Sequence, residues 1–161
     1  MAGWRGANHC NPPLKSVEVF AEDAFWETQR LTHMIHDPDS VIAAARSWLG
    51  TPYHDQASLR GVGCDCLGLA RGVWRELVGD EPSPIPPYSR DWGETGCREV
   101  LADGARRMMI ELPVADAGPG ALVLFRMRTG AIAKHVGILT TPYRFIHAYE
   151  RLGVIEEPLT S

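Results

Sequence analysis

The sequence predicts an α+β domain, with helices in its first half and an antiparallel sheet in its second. Three observations predict it. Apolar residues recur at helical spacing over residues 41–49 and 67–78. Beyond Pro113 the pattern changes to short apolar segments separated by Gly, Pro and Thr turns. A run of helices followed by a run of strands is the α+β order. The 161 residues suffice for one domain with a core, and 45% apolar with 22% charged side chains is ordinary for a globular chain.

Each element has a local cause. Asp37-Pro38 reads as an N-cap followed by first-turn proline. Val41, Ala44, Ala45, Trp48 and Leu49 form one apolar stripe, and Gly50 ends that helix. Thr51-Pro52-Tyr53 leaves in extended form, because a residue before proline avoids the helical region. Gly61-Val62-Gly63 forms a glycine turn into a second helix from Cys66, stopped by Gly79. Glu81 to Tyr88, with Pro82, Pro84, Pro86 and Pro87, is a loop. Glu94 to Met109 reads as a mostly surface helix. Strands are expected at Ala121–Met127, Lys134–Thr140, Tyr143–Tyr149 and Gly153–Glu157, with a hairpin tip at Arg128-Thr129-Gly130.

Residues 1–36 differ from the rest. They are irregular at first, with a weak helix expected around Ala21 to Leu31. Because Met34 directly precedes a clean helix start, this stretch reads as an accessory extension, either a docking arm or an over-long reading frame. The domain is expected at 37–161.

Composition excludes several functions. A formal net charge of -4 argues against a general nucleic-acid binder. No apolar run is long enough to span a bilayer, so no membrane insertion is expected. The first twenty residues show no basic and apolar leader pattern. Cys10, Cys64, Cys66 and Cys97 are too few for a dense disulfide framework, and Cys66 at least is expected to be free.

Cys66 falls in the first turn of its helix, where unpaired N–H groups and the macrodipole favour an anion. A thiolate is such an anion, so Cys66 is expected to have a depressed pKa and to act as a nucleophile. A cysteine nucleophile needs a base with an orienting partner. Of six histidines, His135 and His147 lie in predicted strands that neighbour each other, and alternation places His135 with Gly137 and Leu139 on one face and His147 with Phe145. Helix-borne cysteine, strand-borne histidine and a polar third group form a papain-like layout.

Gly50-Thr51-Pro52-Tyr53, Asp65-Cys66-x-Gly68-Leu69, His135-Val136-Gly137-Ile138 and Ile146-His147-Ala148, in that order, resemble the NlpC-like cysteine peptidases of bacterial cell walls. The run Gly63-Cys64-Asp65-Cys66-Leu67-Gly68-Leu69 into Arg71-Gly72-Val73-Trp74-Arg75-Glu76-Leu77 resembles the branch found in phages and gene-transfer particles. The likeness covers roughly residues 38–157. It implies a papain-like fold, with the cysteine helix packed on an antiparallel sheet bearing the histidines. It implies hydrolysis of peptidoglycan stem peptides, typically at the γ-D-glutamyl–diamino acid bond. Cys66 would attack the carbonyl, His135 would carry the proton and His147 would hold the His135 ring. Tyr53 would line the site, and Asp65 would meet the substrate's free amino group. No metal or organic cofactor is implied. The partners implied are the stem peptide and phage-tail or baseplate proteins. Such a protein would be made in the cytoplasm, carried on a particle tail and act on the wall in the target cell's periplasm.

Three departures stand out. Leu67 follows the nucleophile where many relatives have serine. Gly120-Ala121 replaces Gly-Asp at a strand entrance. His54-Asp55-Gln56 replaces a glycine pair. Taken singly, residues keep second roles: Asp65 as a helix cap, Tyr53 and His147 as core, Cys64 as an inert buried thiol or a redox partner. Other functions open at this point are an amidase or acyltransferase of the same fold, a non-enzymatic tail component, and a zinc site from Cys64, Cys66, His135 and His147.

Overall fold

Proline at the first turn and an alanine-rich run make residues 38–46 helical, and this helix begins the part of the chain that carries the motifs. The computed structural model describes residues 18–22, 37–82, 84–89, 92–93, 96, 98–128 and 130–159. Helix α1 spans Pro38–Arg46, α2 Cys66–Leu77 and α3 Val100–Met108. Strands follow the order β1 Glu18–Glu22, β2 Ser58–Leu59, β3 Gly63–Cys64, β4 Met109–Leu112, β5 Leu122–Arg126, β6 Ala133–Thr141, β7 Arg144–Tyr149 and β8 Gly153–Pro158. Among the described residues no helix is long and apolar enough to cross a membrane.

Six strands form one sheet in the order β4-β1-β5-β6-β7-β8, with antiparallel neighbours throughout. The three helices pack on one face. There Trp48, Leu69, Val73, Ile138 and Ile146 form one cluster. Leu101, Ala102, Leu124 and Val136 form a second, against which Cys66, Leu67 and Ala70 lie. The other face carries Val19, Val123, Leu139 and Phe145, with Leu112, Ala117 and Leu159 packed against them. The fold is therefore mixed α and β, as the sequence predicts, with the cysteine helix on the sheet that bears the histidines.

Two glycines let the layers close. A Cβ on Gly72 of α2 would stand 2.0 Å from the Trp48 ring, so α1 and α2 meet at a bare backbone. A Cβ on Gly68 would stand 1.8 Å from the Ala57 carbonyl oxygen, so the 54–57 loop lies directly on the start of α2.

Several expectations are corrected. Residues 18–22, placed by the sequence in an accessory extension, form β1 in the interior of the sheet. Val19 and Phe20 are 1% and 0% exposed, and β1 pairs on both sides, with β4 and β5. Residues 21–22, expected to start a helix, are strand because their backbone bonds are taken by β4. The remainder of 1–36, with Cys10, lies outside the described residues, as does Cys97. The helix expected from Glu94 begins at Val100, and its predicted end, Met109, instead opens β4. Leu49 is exposed, because α1 ends at Arg46 and the turn that follows keeps Trp48 in the core but carries Leu49 outward.

Candidate active site

The glycine turn, the helix start and two splayed strands build the site. Gly61, with φ of 75°, turns the chain between β2 and β3. β3 then delivers Asp65 as the N-cap of α2 and Cys66 as its first residue. Asp65 is 3% exposed and both of its oxygens are used. Oδ1 accepts from Gly68 N at 2.6 Å. Oδ2 accepts from Gln56 N at 2.7 Å and from the Tyr88 hydroxyl. Of the two roles open to Asp65, the structure shows the cap.

Cys66 is partly exposed, whereas Cys64 beside it is 0% exposed. The backbone N–H groups of Val136, Leu67 and Cys66 itself lie near enough to the Cys66 sulfur to favour its thiolate. The last two are the unpaired donors of the helix start. Val136 reaches the sulfur because β6 and β7 part company: their pairing begins at Ile138–Ile146, while β7 stays paired with β8 out to Tyr149–Gly153. The thiol thus sits against the residue that follows His135. The expectation of a depressed thiol pKa is not met. Burial pushes Cys66 up to about 12, outweighing the three N–H groups, which pull it down. The helix start lowers the cost of a thiolate without making it the resting state.

His135 and His147 meet edge to face, with ring centroids 4.9 Å apart and Nε2 of His135 2.6 Å from Nδ1 of His147. Burial, then the neighbouring His147, pushes His135 down to about 4. Burial also lowers His147, opposed by Glu157. His147 Nε2 lies 2.9 Å from Glu157 Oε1, a charge contact too far off axis to be a hydrogen bond, and this buried atom has no hydrogen-bond partner among the described residues. At neutral pH the thiol and both imidazoles are therefore uncharged. Gly137 makes the arrangement possible: a Cβ there would stand 2.6 Å from the Phe145 ring, whose centroid is 4.5 Å from that of His147.

Tyr53 is half-buried, bridges to Cys64 and donates its hydroxyl to Asp55 Oδ1 at 3.0 Å. Burial first, then Asp55, raises its pKa, and it lies close enough to feel the charge of Cys66. Sequence reading missed two residues here. Tyr88 binds Asp65, also lies within electrostatic range of Cys66 and stacks on Trp92 at 5.0 Å; its only sequence signal is an aromatic at the end of a proline-rich loop. Glu157 was legible only through the register of β8.

Two of the three departures find physical roles. His54 packs over Gly63, Asp55 receives Tyr53 and Gln56 caps Asp65, so the residues that replace a glycine pair frame the helix start. Leu67 is packed among Leu101, Leu124 and Val136 and so anchors the helix in the core. Among the described residues, no three His, Cys, Asp or Glu side chains converge as a metal-binding set.

No family model and no curated protein matches the chain. Solved structures do. The NlpC/p60 domain of the peptidoglycan hydrolase SagA superposes with a TM-score of 0.53 at 23% identity, over 76% of this chain and 90% of that one. The fold is that of NlpC/p60 domains. A protein from Staphylococcus aureus subsp. aureus Mu50, described as similar to lipoprotein and of the NLP/P60 family, matches at 20% identity with a TM-score of 0.50, over 83% of this chain and 40% of that one. In this NlpC/p60 fold the four motifs of the chain gather around the start of α2 and the parted ends of β6 and β7.

Proposed function

We propose that this protein is a cysteine peptidase that hydrolyses peptidoglycan stem peptides, at the γ-D-glutamyl–diamino acid bond. One observation carries the reading: a cysteine at a helix start, partly exposed as a residue, with its sulfur against the backbone of Val136, next in the chain to a strand-borne histidine whose ring meets a second histidine. The solved NlpC/p60 domain with the same fold belongs to a protein described as a peptidoglycan hydrolase.

The chemistry follows the geometry. Cys66 sulfur attacks the scissile carbonyl carbon while His135 takes the thiol proton. Backbone N–H groups at the start of α2 receive the developing oxyanion. The tetrahedral intermediate collapses to a thioester as His135 gives its proton to the leaving amine. Water, deprotonated by the same ring, then attacks the thioester, releasing the acid and restoring the thiol. Resting neutrality keeps a buried ion pair from forming before substrate arrives. Tyr53 and Tyr88, both within electrostatic range of the thiol, form the walls along which the peptide lies.

In this reading the protein is carried on a phage-tail-like particle, with tail or baseplate partners, and opens the wall locally. That step rests on the resemblance of residues 63–77 alone. Leu67 favours a second reading: with an apolar side chain turned into the core after the nucleophile, the same machinery would act as an amidase or acyltransferase on another substrate. A non-enzymatic tail component retaining the fold is the third.

The test is digestion of purified sacculi, with mass analysis of what is released. Wild type is expected to free stem-peptide fragments with a new D-glutamate γ-carboxyl, and Cys66→Ala to free none while keeping its circular dichroism. Intact sacculi with hydrolysis of a lipid or ester probe would transfer the function to the second reading. No thiol reactivity at Cys66 would transfer it to the third. Mass spectrometry of purified particles tests carriage: absence of the chain there removes it.

A further inference from the structure

We propose that Glu157 is a positioning residue that fixes which nitrogens of the two histidines carry protons, leaving His135 Nδ1 as the basic atom. The use of that atom rests on the peptidase reading above; the proton pattern itself does not.

The placement comes from the sheet. Residues of β8 alternate between faces, and the register sets His147 opposite Ile155 and Phe145 opposite Glu157. Glu157 is thus the diagonal neighbour of His147 on the same face, within reach of a long side chain. Its neighbour Glu156 serves the opposite face, where it accepts from Thr140 Oγ1 at 2.6 Å and pairs with Arg46. Two adjacent glutamates are therefore committed to different work.

The proton pattern follows from what each group can accept. A carboxylate is an acceptor only. The His147 nitrogen 2.9 Å from it, Nε2, therefore carries the hydrogen. A neutral imidazole has one N–H, so His147 Nδ1 presents a lone pair. That lone pair faces His135 Nε2 at 2.6 Å, too close for two lone pairs, so His135 Nε2 carries its hydrogen and donates. The remaining nitrogen of His135, Nδ1, is then the only one able to take a proton. When the Cys66 proton arrives there, the imidazolium keeps Nε2–H on His147, and His147 keeps its Nε2 proton in the field of the Glu157 carboxylate. No further proton moves. The titratable groups facing His147 are His135 from β6, Tyr149 from its own strand at 5.6 Å between rings, and Glu157 from β8. Of these, Glu157 alone is a carboxyl group.

The experiment uses the full chain, labelled with 15N-histidine, and reads imidazole nitrogen shifts at neutral pH for wild type, Glu157→Gln and Glu157→Leu. Both rings of wild type are expected as Nε2–H tautomers with Nδ1 bare. Removing the acceptor in Glu157→Leu should move part of the His147 population to Nδ1–H. Glu157→Gln should lower kcat on sacculi roughly tenfold, less than loss of an orienting group in direct contact with the base. KM should stay within about twofold. A wild-type His147 with Nδ1–H, or a Glu157→Leu spectrum identical to wild type, would overturn the assignment. Correct tautomers in a protein that leaves sacculi intact would instead sink the peptidase reading and leave this one standing.

Discussion

At the scale of single residues, the site is built to rest uncharged. His135 is held down to about 4 from 6.5, and Cys66 up to about 12 from 9.0, both chiefly by burial. In activity, the pair in its working proton state persists from the acid limb to the alkaline one. The profile of kcat/KM is therefore expected to be level through neutral pH, to fall near the lowered imidazole value, and to show no alkaline fall near the ordinary thiol value; these limbs belong to the coupled pair. An acid limb near 6.5 would show that burial does not govern the ring. In stability, the fold disfavours protonated His135. The unfolded chain takes up that proton first, so stability is full above about 6.5 and is lost as pH falls toward about 4. Thermal melts across that window check the sign. Asp65 is read by substitution. Asp65→Ala strands the donors of Gly68, Gln56 and Tyr88 and should cost about 3 kcal/mol of unfolding free energy in a denaturant titration. A variant with unchanged stability and a raised KM would return Asp65 to the substrate contact.

Elements decide how such residues meet, and here glycine positions separate structural from functional packing. Gly137→Ala drives a Cβ into the Phe145 ring, which is stacked on His147. It is expected to lower kcat roughly tenfold to a hundredfold through displacement of the histidine pair. Gly72→Ala meets Trp48, remote from the histidines. It is expected to cost about 1–3 kcal/mol with kcat of the folded fraction retained. Equal kcat in both variants would mean that β7 does not position the site. The same elements show what the sequence discloses. α1 and α2 were legible because one face of each is buried and the other is wet, which writes the period into the residues, and β5 to β8 because turn residues bound each short apolar segment and set it beside the next. The pairing of His135 with His147 was legible for the same reason. β4 was not, because Met108 runs into Met109 with no turn residue between helix and strand, and the strand is half-exposed. Tyr88 and Glu157 were not, because a loop has no period and a diagonal contact appears only once the register is known.

For the whole molecule, the decisive element is the one that the sequence placed outside the domain. Five residues, Glu18–Glu22, carry too short a pattern to stand out beside an irregular leader, yet the sheet passes through them. β1 separates β4 from β5, so without it β4 loses its ladder to the strands that bear the histidines. Val19 and Phe20 bury fully, at roughly 1.5–3 kcal/mol each, and Glu18 pairs with Arg126, whose side chain is 6% exposed. These contributions together reach the lower end of the stability of an ordinary domain, about 5–15 kcal/mol. A chain started at Met34 is therefore expected to lose its cooperative melt and its activity together. Phe20→Ala in the full chain should cost about 3–5 kcal/mol, and Glu18→Gln less, because Arg126 keeps Glu99. If the chain from Met34 melts like the full chain and digests sacculi equally well, β1 is dispensable and the domain does begin near residue 37.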